Sequence, residues 1–87
     1  MLAKHINLYK PSYVVARRTP EGKYEFLSGL YFTKKAAKKD LFKQLDLRYK
    51  TNTKAYIETN LQMLKEGYTK PFLLTIKLTA EEECIYL

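Results

Sequence analysis

The stretch that most limits what this chain can become is Thr33 to Lys50, TKKAAKKDLFKQLDLRYK. No Gly or Pro interrupts it, and Thr33 is a good N-cap residue placed just after the apolar run Leu30-Tyr31-Phe32. At about 100° per residue, Ala37, Leu41, Phe42, Leu45 and Tyr49 fall within a sector of roughly 140°, wide enough to pack on a sheet. Lys35, Lys39 and Lys43 fall roughly opposite, with Asp46 in line beyond them. One long helix therefore carries both a core face and a basic face. The simplest role for the basic face is solvation, because Lys is a common surface residue and a good helix former.

The helix needs a partner, and the flanking sequence predicts a small sheet. Tyr13 to Thr19, YVVARRT, is rich in β-formers, with Tyr13, Val15 and Arg17 on one face and Val14, Ala16 and Arg18 on the other. Thr19-Pro20-Glu21-Gly22-Lys23 follows as a turn, Pro setting φ at its first corner and Gly accepting positive φ at its end. Lys23 to Phe32 resumes as a strand, interrupted by Ser28-Gly29, which predicts a bulge or a bend. A hairpin feeding directly into the basic helix results.

Beyond Lys50, Thr51-Asn52-Thr53 breaks the pattern, since all three residues favour caps over helix interiors. Residues 54–66 recover a helical period through Ile57, Leu61 and Leu64, with Tyr68 one turn on and Gly67 placed to terminate it. This reads as a second helix, or as a continuation of the first beyond a kink. Phe72 to Leu78 forms the final strand, in which Phe72, Leu74, Ile76 and Leu78 make a wholly apolar face expected to meet the helices. At the start of the chain, Ile6 and Leu8 alternate with polar residues before Lys10-Pro11, predicting a short first strand or an ordered arm. Thr79 to Leu87 accommodates a single helical turn or a short closing strand.

The elements assemble as (β)ββααβ, an α+β fold with an antiparallel sheet of three or four strands and two helices on one face. All 87 residues fit one domain, and a hydrophobic fraction of 46% is too high for a disordered chain. The lone Cys84 excludes an intrachain disulfide framework and fits a reducing compartment. With no apolar signal-like run after Met1 and no stretch of about eighteen apolar residues, the expectation is a soluble, cytoplasmic protein.

Enzyme chemistry needs converging titratable groups, and here there is one His, His5, one Cys, and no nucleophile motif. The three glycines at 22, 29 and 67 lie too far apart for a phosphate loop or a dinucleotide fingerprint. Glu81-Glu82-Glu83 point in different directions on any regular element and lack spaced companion ligands, so they read as a solubilising tail. The expectation is a non-catalytic protein without metal or cofactor.

Charge points to binding instead. Residues 1–54 hold thirteen Lys or Arg against four acids, and residues 55–87 three against five, so the two parts carry +9 and −2. Such an asymmetry favours an acidic partner for the N-terminal part. Arg17, Arg18, Lys23, Lys34, Lys35, Lys38, Lys39 and Lys43 cluster in sequence, interleaved with Tyr13, Tyr24 and Tyr31. Basic groups neutralise phosphates and exposed aromatics stack on unpaired bases. With thirteen Lys to three Arg, backbone contact is favoured over base reading.

Residues 13–47 add a resemblance. A strand, a Gly-containing turn, a second strand and an aromatic-Thr-Lys-Lys-x-Ala helix start, here YVVARRTPEGKYEFLSGLYFTKKAAKKDL, is similar to the arm-type DNA-binding N-terminal domain of tyrosine recombinases. In that family a three-stranded sheet enters the major groove with the helix behind it, so the resemblance implies that Arg17, Arg18, Lys23 and Tyr24 face DNA. Short length, many Lys and Tyr, and the lack of a catalytic motif also resemble the small accessory proteins of phages of low-GC Gram-positive bacteria, which act by binding a host or defence component. The leading expectation is contact with nucleic acid or a nucleoprotein complex through Arg17, Arg18, Lys23, Tyr24, Lys35, Lys39 and Lys43. The alternative is a protein-binding accessory factor or inhibitor with a host protein partner. A homodimer through the last strand is a further expectation, and membrane binding is not expected because the apolar helix face is claimed by the sheet.

Overall fold

The computed structural model describes residues 11–77. The expected first strand, His5, Cys84, the acidic run at 81–83 and the closing segment lie outside them. Within them the order is β1 (Ser12–Arg18), β2 (Tyr24–Phe26), α1 (Lys34–Tyr49), α2 (Lys54–Lys65) and β3 (Phe72–Ile76). The strands form one antiparallel sheet in the order β2-β1-β3, so β1 is central and the last strand closes on its free side after both helices. This is the expected α+β architecture, with two separate helices.

The hairpin turn forms as the Pro-Gly signal predicts. The Thr19 carbonyl accepts from the Gly22 N–H at 2.9 Å, the Thr19 N–H donates to the Lys23 carbonyl at 2.8 Å, and Gly22 has φ +83°. Strand β2 is far shorter than expected. After Phe26 one ladder bond remains, the Leu27 N–H donating to the Val15 carbonyl at 2.7 Å; the Val15 N–H is then taken by the Ser28 hydroxyl at 3.0 Å, and pairing resumes where Tyr31 meets Tyr13. Ala16 pairs with Phe26 but Tyr13 with Tyr31, so β2's side carries two extra residues between those points. The Ser28-Gly29 interruption is thus a looped-out segment stapled by a hydroxyl in place of a ladder carbonyl.

Both helices start on Thr caps: the Thr33 hydroxyl accepts from the Ala36 N–H and the Thr53 hydroxyl from the Tyr56 N–H, each at 3.2 Å. Helix α2 ends in a Schellman pattern, the Tyr68 N–H donating to the Met63 carbonyl and the Gly67 N–H to the Leu64 carbonyl, with Gly67 at φ +111°. The same glycine lies against Pro20, where an added Cβ would meet the Pro20 Cβ at 3.3 Å. The Arg18 N–H donates to the Thr69 hydroxyl at 2.9 Å, and the Thr69 N–H to the Arg18 carbonyl at 3.0 Å. The hairpin turn is therefore docked on the end of α2.

Helix α1 packs on β1 and β3, while α2 packs on α1. The covered sheet face is the one bearing Val15 and Arg17: the Arg17 guanidinium reaches the Met63 sulfur on α2 at 3.7 Å and lies over the Tyr68 ring. Paired residues share a face, so Phe72 and Leu74, opposite Ala16 and Val14, lie on the other side. The apolar face of β3 therefore points away from the helices, contrary to expectation. On that side the rings of Tyr24 and Phe72 meet edge to face at 6.1 Å across the central strand. Val14, Val15 and Ala16 are fully buried, and with Ala37 they form the centre of the core.

Candidate nucleic-acid interface

Helix α1 decides which basic groups face outward, and it sits rotated from the orientation its apolar residues suggest. Measured from Ala37 at about 100° per residue, its apolar sector is centred near 70°, whereas the partly or fully buried residues Ala37, Asp40, Leu41, Gln44, Leu45 and Arg48 centre near roughly 10°. The rotation turns polar side chains inward, and all but the buried Gln44 Oε1 find a partner. The Tyr31 hydroxyl donates to the Asp40 carboxylate at 2.6 Å, the Gln44 amide donates to the same carboxylate at 3.1 Å, and the Arg48 guanidinium donates to the Asn60 oxygen at 3.1 Å. Asn60, 3% exposed, is the one fully buried residue of α2, and its amide donates to the Tyr56 carbonyl at 2.9 Å.

The same rotation turns Phe42 outward. Expected in the core, it is 63% exposed. By helical geometry it stands at roughly 140°, between Lys38 at roughly 100° and Lys35 and Lys39 at roughly 160° and 200°. Phe42 lines an open hollow with Lys34, Lys35, Lys38 and Lys39. Phe32, one residue before the N-cap, is 83% exposed. Lys35, Lys39 and Lys43 are exposed as expected.

Electrostatically this face is basic in net charge. Helix α1 carries six basic residues, Lys34, Lys35, Lys38, Lys39, Lys43 and Arg48, against two acids, Asp40, which accepts from Tyr31 and Gln44, and Asp46, which accepts from the Thr51 hydroxyl. Among the described residues the one ion pair is Arg17–Glu25, so none of the α1 lysines is paired there. The hydrogen bond donated to Asp40, followed by desolvation and the carboxylate charge, holds the Tyr31 phenol above its ordinary pKa. Burial likewise raises Tyr49, against the opposing pull of Arg48 and Arg17. The exposed Lys70 covers this ring from outside, its ammonium 5.3 Å from the centre of Tyr49.

The remaining candidates divide between the two sides of the sheet. Arg17 lies under the helices, its side chain 13% exposed and held by Glu25, Met63 and Tyr68. Arg18 emerges on the helix-free face, donating to the Tyr24 hydroxyl at 2.9 Å with its guanidinium 5.0 Å from that ring's centre. Tyr24 is 49% and Phe26 52% exposed, and Lys23 is exposed at the turn. Around Arg18 and Tyr24 this face is otherwise apolar, built from Val14, Ala16, Phe26, Phe72 and Leu74. The seven candidates therefore form no single patch: Lys35, Lys39 and Lys43 share the outer surface of α1, Arg18 and Tyr24 share the far side of the sheet, and Arg17 belongs to the interior.

Sequence reasoning passed over Phe32 and Phe42. The available signal was Phe42's place at the edge of the apolar sector, with lysines on either side. Among the described residues no cluster of metal-ligating side chains exists, and no helix is long and apolar enough to cross a membrane.

These features define a small α+β domain with one strongly basic helical surface and one apolar sheet face. No known protein family, curated protein or solved structure matches the chain.

Proposed function

We propose that this protein is a non-catalytic nucleic-acid-binding module that engages the phosphate backbone, free or within a nucleoprotein complex, through the outer face of α1. The observation that supports this reading is the set of five exposed lysines, 34, 35, 38, 39 and 43, on a helix that carries only two acids and in which none of these lysines is ion-paired among the described residues. Unpaired ammonium groups on a rigid scaffold neutralise phosphates and release counterions, a term that does not depend on sequence. Lysine acts as a point charge and lacks the planar fork used to read guanine, so the module holds backbone without selecting a base sequence. Arg17 supports the hairpin from beneath.

A protein-binding accessory role is the second reading, favoured by the half-exposed Tyr24 and Phe26 on the helix-free sheet face. Fluorescence anisotropy of labelled duplex DNA, single-stranded DNA and RNA at about 50 and 200 mM salt separates the two. Engagement of about four phosphates gives a log–log salt slope near −3.6 on duplex and near −2.8 on single strands. The double variant Lys39→Glu/Lys43→Glu should weaken binding at least tenfold or so at the lower salt. Undiminished affinity in that variant, or no binding to any of the three probes, would overturn the nucleic-acid reading.

A further inference from the structure

We infer that the α1 surface takes single-stranded rather than duplex nucleic acid, with Phe42 and Phe32 as stacking platforms for unpaired bases. This rests on the nucleic-acid reading above and specifies its ligand. Phe42 and Phe32 are the two most exposed large hydrophobic side chains among the described residues. Phe42 stands at the edge of the apolar sector of α1, with lysines on either side. Phe42 sits within the lysine arc and shares its hollow with four ammonium groups, while Phe32 directly precedes the cap from which Lys34 and Lys35 project.

The surrounding chemistry selects among anionic partners. A helix lying on an anionic membrane presents a continuous apolar stripe beside its basic residues. Here the residues that line the hollow around Phe42 are all lysines, so Phe42 is not part of a continuous apolar stripe. In a duplex the flat faces of the bases are stacked on one another, leaving an exposed ring nothing to bind. Unpaired bases offer those faces, and aromatic rings interleaved with basic groups are how proteins hold single strands without reading their sequence. The helix begins at Lys34, so its first eight residues, roughly 12 Å at 1.5 Å per residue, separate that end from Phe42, with Phe32 beyond the extended Thr33 cap. At about 3.4 Å per stacked nucleotide that length holds on the order of four nucleotides.

The test compares a labelled thymidine dodecamer with a duplex of equal length, using the wild type, Phe42→Ala, Phe32→Ala and Phe42→Trp. Because the chain has no tryptophan, Phe42→Trp places a single emitter at the proposed stacking point. Both sites are solvent-exposed, and thermal melts followed by circular dichroism establish that each variant folds. The expected result is tighter binding of the single strand, a loss of about tenfold for each alanine variant on that probe with the salt slope unchanged, and quenching of the Phe42→Trp emission on binding. If the alanine variants keep wild-type affinity while Lys39→Glu/Lys43→Glu abolishes it, the stacking inference falls and backbone binding stands. Equal or tighter binding of duplex overturns the inference in the same way. Absence of binding to either probe overturns both, and phenylalanine-dependent binding to phosphatidylserine vesicles would assign the rings to a membrane surface instead.

Discussion

At the residue scale, the positions that matter are polar ones facing inward. Tyr31 is tied to Asp40, and its raised pKa links stability to alkaline pH. A phenol whose pKa is higher folded than unfolded binds its proton more tightly in the folded state. Its contribution is complete below about pH 10 and is lost as pH rises through the folded value. Tyr49 shifts in the same direction and adds to the same window. In urea titrations, Tyr31→Phe should lower the unfolding midpoint at pH 8, and the gap to wild type should shrink by pH 11; a gap unchanged across that range would refute the link. Gly67 is the other sensitive residue. Its φ of +111° suits glycine, and a methyl group there would press on Pro20. Gly67→Ala should cost about 1–2 kcal/mol, read as a lower midpoint with unchanged cooperativity, whereas Gly29→Ala, where an added Cβ meets nothing within 4 Å, should cost less.

At the scale of elements, the two helices are joined by a hydrogen bond, donated by Arg48 in the last turn of α1 to the buried Asn60 of α2. Asn60→Leu removes the acceptor and leaves a half-buried guanidinium short of a partner, which should cost about 1–3 kcal/mol. Adding Arg48→Met replaces both polar groups by apolar ones, and this double variant should recover most of the loss. Additive losses in the four-member cycle would mean that the pair is not coupled. The caps of both helices, the Pro-Gly turn and the glycine stop of α2 were legible in the sequence because each is a local hydrogen-bond problem solved by residues within about five positions. The length of β2 was not legible, because its residues are good β-formers and only the pairing of Ser28 with Val15 shows where the ladder is left.

At the scale of the molecule, positive charge and apolar surface lie on opposite sides of one small sheet. The basic side is the outer face of α1, and the apolar side surrounds Tyr24, Phe26 and Phe72. The expected hairpin-and-helix surface is thereby divided, with Arg18 and Tyr24 on the side of the sheet away from α1 and Lys23 exposed at the turn. By itself the sequence determined the α+β class, the element order, the capping residues of the helical segments and the excess of basic charge, since all of these follow from periodicity, local capping and counting; it left open whether the two helical segments are separate. Only the tertiary structure decided how α1 is rotated. The apolar sector of that helix pointed to Phe42 as core, but Tyr31, Asn60 and the Leu27 carbonyl lie where they satisfy Asp40, Arg48 and Gln44. Turning α1 the other way would cover the Phe42 ring but strip the part-buried Tyr31 hydroxyl and the buried Asn60 of these partners, at a cost comparable to or larger than the gain from one ring. The helix consequently settles with its polar edge inward, and that places Phe42 among the lysines.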